Sequence, residues 1–132
     1  MGGTSKVIGG TIVKGLGEGA FFMSMDYYKK EIKDKLGFDA YPGTLNIRIN
    51  KNQLNILTNP IKIEGFENVG KKFGGVRCFK SKIKNVEGAI IIPDINKHKK
   101  NIIEFISKKH IKSELNIKNG DKIIIELIWK SE

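Results

Sequence analysis

A run rich in glycine, Gly15-Leu16-Gly17-Glu18-Gly19, directly follows a segment that is predicted to be a β-strand. Glycine has no Cβ atom, so the backbone N–H groups of such a loop can approach an anion closely and surround it. The run lacks the Gly-Lys-Ser/Thr ending of a Walker A loop, and no crossover helix opens at its end as in a Rossmann turn. Two interpretations therefore stay open: a loop that binds phosphate, and a bulged hairpin connection.

A second pair of residues with useful chemistry lies in Pro42-Gly43-Thr44-Leu45-Asn46. Thr44 and Asn46 are two residues apart on a predicted strand, so both side chains project from the same face. Hydroxyl and amide oxygens are neutral ligands that suit Mg²⁺, which keeps several waters and takes further oxygens from phosphates. The alternative is that the pair belongs to the polar face of an ordinary surface strand.

Other kinds of reactive site find little support in the sequence. His98 and His110 are the two histidines and lie far apart, so no His-based metal site is predicted. The single cysteine, Cys78, forbids an intrachain disulfide and any multi-Cys metal site. Its neighbours Val76 and Phe79 indicate a strand, and we predict a buried, inert thiol. No Ser–His–Asp arrangement is recognisable.

Size and charge restrict the class of protein. The 132 residues fit one domain, spanning 1–132, and their net charge is +10. The apolar runs are too short to cross a membrane and no secretory signal is visible, so we expect a cytoplasmic protein without membrane association. The charge predicts a polyanionic partner, either nucleic acid or a phosphorylated small molecule. Arg48 and Arg77 are the only arginines, which weakens sequence-specific DNA binding.

The elements that would position these residues are mostly strands. Apolar alternation and β-branched content predict strands at Lys6–Lys14, Thr44–Asn50, Ile61–Ile63, Gly74–Lys84, Ala89–Ile92, Ile102–Ile106 and Lys122–Trp129. Ala20–Met25 is predicted to be extended, and Asn85–Gly88 and Asn119–Asp121 to be turns. Short strands with closely spaced turn signals favour an antiparallel or mixed β-barrel over a doubly wound α/β sheet.

Two helices are predicted among these strands. The periodicity of Asp26–Leu36 is typical of an amphipathic helix, with Asp26 as its N-cap and Gly37 as its stop. Ser107 is predicted to cap a second, short helix that runs through Leu115.

Taken together, these segments resemble one family. They are, in order, Gly10–Gly19, Phe22-Met23-Ser24, Leu36-Gly37-Phe38, Tyr41–Asn46, Glu87–Pro93 and Leu115–Ile123. In that order and spacing they resemble the archaeal CTP-dependent riboflavin kinases across nearly the whole chain. The resemblance implies a mainly β fold: a small six-stranded cradle-loop barrel with one or two short helices. It also implies transfer of the γ-phosphoryl group of CTP to the 5′-hydroxyl of riboflavin, which gives FMN and CDP.

Matching positions imply nucleotide-binding residues in two segments. The first comprises Gly15, Leu16, Gly17, Glu18, Gly19 and Ala20, and the second comprises Lys109, His110, Ile111 and Lys112. Lys112 stands where some members carry arginine, so the charge is kept but the planar fork of a guanidinium is lost.

The resemblance also implies metal-binding and flavin-binding residues. Thr44 and Asn46 would hold one Mg²⁺ ion, and Asn96 and Glu104 would contact the flavin. Asn96 stands where a threonine is expected, which keeps a polar group but changes its geometry. Glu104 is the candidate catalytic residue, because a carboxylate there could position or deprotonate the 5′-hydroxyl.

The implied ligands give the basic charge a second explanation. Riboflavin, FMN, CTP and CDP would be the partners, and three of these four are phosphorylated. With Mg²⁺ as cofactor, we expect a monomeric enzyme that binds no nucleic acid. The alternative is a non-catalytic basic β-barrel module that binds DNA or RNA through its lysines.

Overall fold

The structure, a computed structural model, describes residues 6–15, 23–94 and 101–128. In these ranges the strands are β1 (Lys6–Val13), β2 (Leu45–Arg48), β3 (Ile61–Ile63), β4 (Phe66–Asn68), β5 (Lys71–Phe73), β6 (Val76–Ile83), β7 (Val86–Pro93), β8 (Ile102–Ser107) and β9 (Lys122–Leu127). The helices are α1 (Asp26–Leu36), α2 (Ile111–Leu115) and a 3-10 helix at Lys51–Ile56. None of the helices described in these ranges combines the length and apolar character that a membrane crossing needs.

Six strands close into an antiparallel barrel, as the sequence predicts. Their ring order is β6–β7–β8–β2–β1–β9, and a β9–β6 pairing that sets Ile125 opposite Ile83 completes it. β3 pairs with the other half of β6, where Ile61 faces Cys78, so one edge of β6 serves two partners. Closure pairs the strands on both sides and leaves few exposed sheet edges.

The core is divided by the barrel wall into two clusters. Ile90 belongs to the cluster formed by inward-facing side chains of the barrel strands, whereas its neighbours Ala89 and Ile91 belong to the other cluster. Because side chains alternate along a strand, this second cluster lies on the outer face. Helix α1 covers it with three buried side chains at the predicted helical spacing: Tyr28, Ile32 and Leu36.

The prediction for the C-terminal end of α1 is correct, whereas the prediction for its N-cap is not. Gly37 terminates the helix in the left-handed region with φ of 88°, and its N–H group donates to the carbonyls of Ile32 and Lys33. The predicted N-cap is wrong: Met25 occupies that position and Asp26 lies in the first turn. There the Asp26 carboxylate favours the helix through the macrodipole rather than through a cap.

Ser107 does not cap α2, contrary to the prediction. It is the last residue of β8, opposite Gly88 of β7, and α2 begins at Ile111 with His110 as its N-cap. The ladder with β7 extends the strand through Ser107 because it satisfies backbone groups that a local cap would leave unpaired.

Other boundaries differ from the predictions by a few residues. β2 is shorter than the predicted Thr44–Asn50 strand. The turn after β6 is Lys84-Asn85, with φ of 55° at Lys84, so Gly88 lies inside β7 rather than in a turn. The extended prediction for Ala20–Met25 is wrong at Met23, which is helical. The sequence pattern predicts neither the 3-10 helix nor the β4–β5 hairpin.

A glutamine side chain takes the place of a strand beside the first half of β1. β1 pairs with β2 only from Thr11 to Val13. At Gly9, the N–H group donates to Gln53 Oε1 at 3.0 Å and the carbonyl accepts from Gln53 Nε2 at 3.0 Å. The primary amide thus reproduces the two hydrogen bonds of a strand neighbour and holds the 3-10 helix against the barrel.

We expect Gln53→Ala to lower the free energy of unfolding by about 1–2 kcal/mol, because two neutral hydrogen bonds are lost together. Urea unfolding should show an earlier midpoint with an unchanged m-value. The matched control is Asn55→Ala, an exposed position of the same 3-10 helix, where a change below about 0.5 kcal/mol is expected. Equal shifts in the two variants would contradict this role of Gln53.

Candidate functional site

Pairing of β2 with β8 brings three of the predicted site residues together. Asn46 and Glu104 are direct cross-strand partners. Thr44, which immediately precedes β2, donates a hydrogen bond from Oγ1 to Glu104 Oε1 at 2.9 Å. Asn46 is 8% exposed and Glu104 is 4% exposed, so neither belongs to the polar face of a surface strand. A residue predicted for metal binding is thereby hydrogen-bonded to the predicted catalytic carboxylate.

Asn46 carries a buried oxygen that lacks a hydrogen-bond partner. Its Oδ1 atom is the one buried side-chain polar atom without such a partner in the described ranges. An unsatisfied buried acceptor costs about 1–3 kcal/mol, so its retention points to a role beyond folding. This amide oxygen and the Thr44 hydroxyl are neutral oxygen ligands of the kind that a hard cation such as Mg²⁺ accepts.

Gly15 joins this group from the end of β1. A Cβ atom added at Gly15 would collide with the side-chain amide nitrogen of Asn46 and would lie 2.7 Å from its Cγ atom. Glycine is therefore required here so that the Asn46 side chain can pack against the backbone. The remaining residues of the predicted glycine-rich loop, Leu16, Gly17, Glu18, Gly19 and Ala20, lie outside the described residues.

A cavity of about 120 Å³ opens beside Thr44. Its lining residues are Tyr41, Gly43, Thr44, Leu45, Phe105, Ser107, Lys109, His110, Ile111 and Lys112. All four residues of the second predicted nucleotide-binding segment therefore line the same cavity as Thr44, one of the predicted metal ligands. The rings of Tyr41 and His110 lie against each other, with centroids 5.0 Å apart.

Two ammonium groups are held in place beside this cavity. Lys109 Nζ lies 3.3 Å from Glu114 Oε2, and Lys112 Nζ donates to Asn119 Oδ1 at 2.7 Å. These contacts restrict two flexible side chains on residues that line the cavity. A concave surface that carries lysines attracts anions such as phosphate esters.

The family model abbreviated CTP-dep_RFKase, with the description "Domain of unknown function DUF120", matches residues 12–127. The chain belongs to this family of CTP-dependent riboflavin kinases. Curated relatives carry the name riboflavin kinase. They include proteins from Methanocella arvoryzae (38% identical over 125 residues), Archaeoglobus fulgidus (40% over 131) and Pyrococcus furiosus (43% over 126).

These relatives are longer than the present sequence. The alignments cover 95%, 96% and 92% of this chain but 58%, 56% and 58% of the relatives, in the same order. The chain therefore spans just under three fifths of the length of the riboflavin kinases that it matches.

Family membership supports the resemblance on which the site prediction was based, and the structure adds residues that the prediction missed. Tyr41 and Ser107 line the cavity beside the predicted segments. Tyr41 lies directly before the Pro42-Gly43-Thr44 motif, which is a signal that could have identified it. Ser107 carries only the sequence signal of a helix cap, which does not indicate a place in the cavity wall. Asn96, predicted to contact the flavin, lies outside the described residues.

The buried cysteine is separate from these residues. Cys78 is 0% exposed on β6, and burial raises the pKa of its thiol to about 12. Since the thiolate is the reactive form, this thiol is inert at neutral pH, which confirms the prediction from the sequence.

Proposed function

We propose that this chain is a CTP-dependent riboflavin kinase, which transfers the γ-phosphoryl group of CTP to the 5′-hydroxyl of riboflavin. The observation that carries the proposal is the contact of half-buried Thr44 with the buried pair Asn46 and Glu104, beside a cavity lined by two lysines. Membership of the family and the names of the curated relatives support this reaction and its nucleotide donor.

Thr44 and Asn46 are the residues that would hold a magnesium ion. The hydroxyl hydrogen of Thr44 is directed at Glu104, which leaves lone pairs on Oγ1, and Asn46 contributes its unpartnered Oδ1. When bound, Mg²⁺ would neutralise charge on the phosphates of the donor. Phosphoryl transfer depends mainly on positioning and charge neutralisation, so two neutral ligands are adequate when the phosphates supply further oxygens.

The nucleotide would contact the segment from Lys109 to Lys112 and the glycine-rich loop that begins at Gly15. Both lysines line the cavity and supply positive charge suited to a triphosphate. Lys112 takes the place of an arginine found in some members. A lysine supplies a point charge rather than a bidentate fork.

Glu104 would act on the acceptor hydroxyl. Its carboxylate accepts the hydrogen bond of Thr44, so its orientation is fixed before the substrate arrives. In the reaction, the carboxylate accepts the proton of the 5′-hydroxyl while the hydroxyl oxygen bonds to the γ-phosphorus and CDP leaves. The carboxylate is buried, at 4% exposure, which limits access of water that would otherwise compete with riboflavin for the phosphoryl group.

The test is incubation of the purified chain with riboflavin, Mg²⁺ and CTP, ATP, GTP or UTP in turn, followed by chromatography for FMN. We expect FMN with CTP at a rate at least about tenfold above that with ATP, because groups that pair with cytosine would be left unpaired by adenine. Omission of Mg²⁺ with added chelator is the control and should abolish the product.

The possible outcomes separate the parts of this proposal. No FMN with any nucleotide would overturn the kinase assignment. Equal rates with ATP and CTP would overturn the assignment of CTP as the preferred donor and leave the kinase assignment standing. If the chain forms no FMN but retains mixed nucleic acid in a salt-sensitive way, the alternative of a nucleic-acid-binding barrel is correct.

A further inference from the structure

Ser107 connects the two loops that form the cavity. Its carbonyl accepts a hydrogen bond from the N–H of Tyr41 at 2.7 Å, and its Oγ accepts one from the N–H of Lys109 at 3.2 Å. Ser107 is 2% exposed and ends β8, so both contacts start from a rigid part of the barrel. One residue thus fixes the backbone on both sides of the cavity.

The two hydrogen bonds of Ser107 hold two different walls of the cavity. On one side, the carbonyl of Tyr41 accepts the N–H of Gly43 at 2.8 Å, a tight turn that leads into Thr44. On the other side, the hydroxyl of Ser107 reaches the amide two residues along the chain and sets the turn between β8 and α2. The ring contact between Tyr41 and His110 shows that the two walls also meet at their side chains.

We propose that Ser107 is a positioning residue for the nucleotide: its hydroxyl sets the backbone course of residues 108–112. The inference rests on the proposed function, and it adds a residue that the family resemblance did not supply. Ser107 acts through Lys109 and the residues after it. Loss of its hydroxyl should therefore weaken CTP binding and leave the phosphoryl-transfer step and riboflavin binding intact.

The test uses Ser107→Ala and Ser107→Cys in the full chain. Alanine removes the acceptor of the Lys109 amide, and cysteine keeps a similar side-chain shape but offers only a weakly accepting sulfur. We expect the KM for CTP to rise about threefold to tenfold in both variants, since residues 108–112 are then no longer held in one conformation before CTP binds. The kcat and the KM for riboflavin should stay within about twofold of the parent values. The dissociation constant for CTP, measured by calorimetry without riboflavin, should rise by the same factor.

A matched control is Ser81→Ala. Ser81 is also buried in the barrel, at 0% exposure, and its Oγ donates to the Phe79 carbonyl at 3.2 Å, but it does not line the cavity. This variant should leave every kinetic constant within about twofold of the parent, since it removes a comparable bond elsewhere. If it raised the KM for CTP as much as Ser107→Ala, the effect would be one of general stability and the proposal would be overturned.

Two further results would overturn the proposal. One is an unchanged CTP dissociation constant in both Ser107 variants. The other is a parent-like cysteine variant beside an impaired alanine variant, which would assign the effect to lost volume. Failure of the proposed function is recognised separately, as a parent chain that forms no FMN. Calorimetry with CTP then still decides the role of Ser107.

Discussion

Asn46→Ala is expected to lower the rate of FMN formation by about tenfold or more at limiting Mg²⁺ and to leave the chain folded. The amide oxygen of Asn46 is buried without a hydrogen-bond partner, so its removal costs the folded state little. The same removal takes one oxygen from the proposed magnesium site. Loss of activity without loss of stability would show that Asn46 acts as a metal ligand and not as a structural residue.

Two measurements check this prediction. Raising the Mg²⁺ concentration should restore part of the rate, because the defect lies in metal affinity. Mg²⁺ should also raise the Tm of the parent chain but not that of Asn46→Ala, which is a readout independent of catalysis. Asn68→Ala, at an exposed position of β4, is the control and should behave as the parent does. A parent-like magnesium dependence in Asn46→Ala would contradict the assignment.

Gly15→Ala, just after the neighbouring strand β1, should reproduce part of this defect. The added methyl group would collide with the Asn46 amide, so the side chain must move away from its position beside Glu104. A higher magnesium requirement in Gly15→Ala would support the view that this glycine exists to accommodate Asn46.

Glu104→Gln is expected to lower kcat by about 10²-fold or more with little change in the KM for riboflavin. Glutamine keeps the shape of the side chain and can still accept the hydrogen bond of Thr44, but it lacks the charge and basicity of the carboxylate. A fall confined to kcat is the pattern of an interaction made in the transition state. Both constants should be measured at saturating CTP and Mg²⁺.

The control for this second prediction is Thr44→Ser, which keeps the hydroxyl that holds Glu104 and should retain most of the activity. A raised KM for riboflavin with unchanged kcat would show that Glu104 only anchors the flavin. Parent values of both constants would exclude it from the site altogether.

The closed barrel was predictable from short alternating strands, whereas the burial of Asn46 was not. Alternation places Asn46 opposite the apolar side chains of β2, the side that usually faces solvent. The structure buries it because Gly15, two residues after β1, packs against it and Glu104 pairs with it from β8. Such long-range contacts leave no trace in the local pattern.

Ser107 illustrates a second kind of difference between sequence and structure. A serine before a short amphipathic segment is a normal helix-cap signal. The β7–β8 ladder overrides that local preference, and the hydroxyl instead fixes a turn. The contact between Ser107 and Tyr41 depends on the packed fold, so the role of Ser107 in the cavity wall could only be recognised in three dimensions.

The pairing of the first described strand with the last has a consequence for synthesis on the ribosome. Lys6 lies opposite Leu127, and Ile12 donates its N–H to the Asp121 carbonyl at 2.9 Å. A nascent chain therefore cannot close the barrel until β9 has left the exit tunnel. Contacts this distant in sequence also form slowly, and until then the apolar strands remain open to misfolding and to chaperones. The closed barrel is therefore available to a nucleotide only after β9 has emerged.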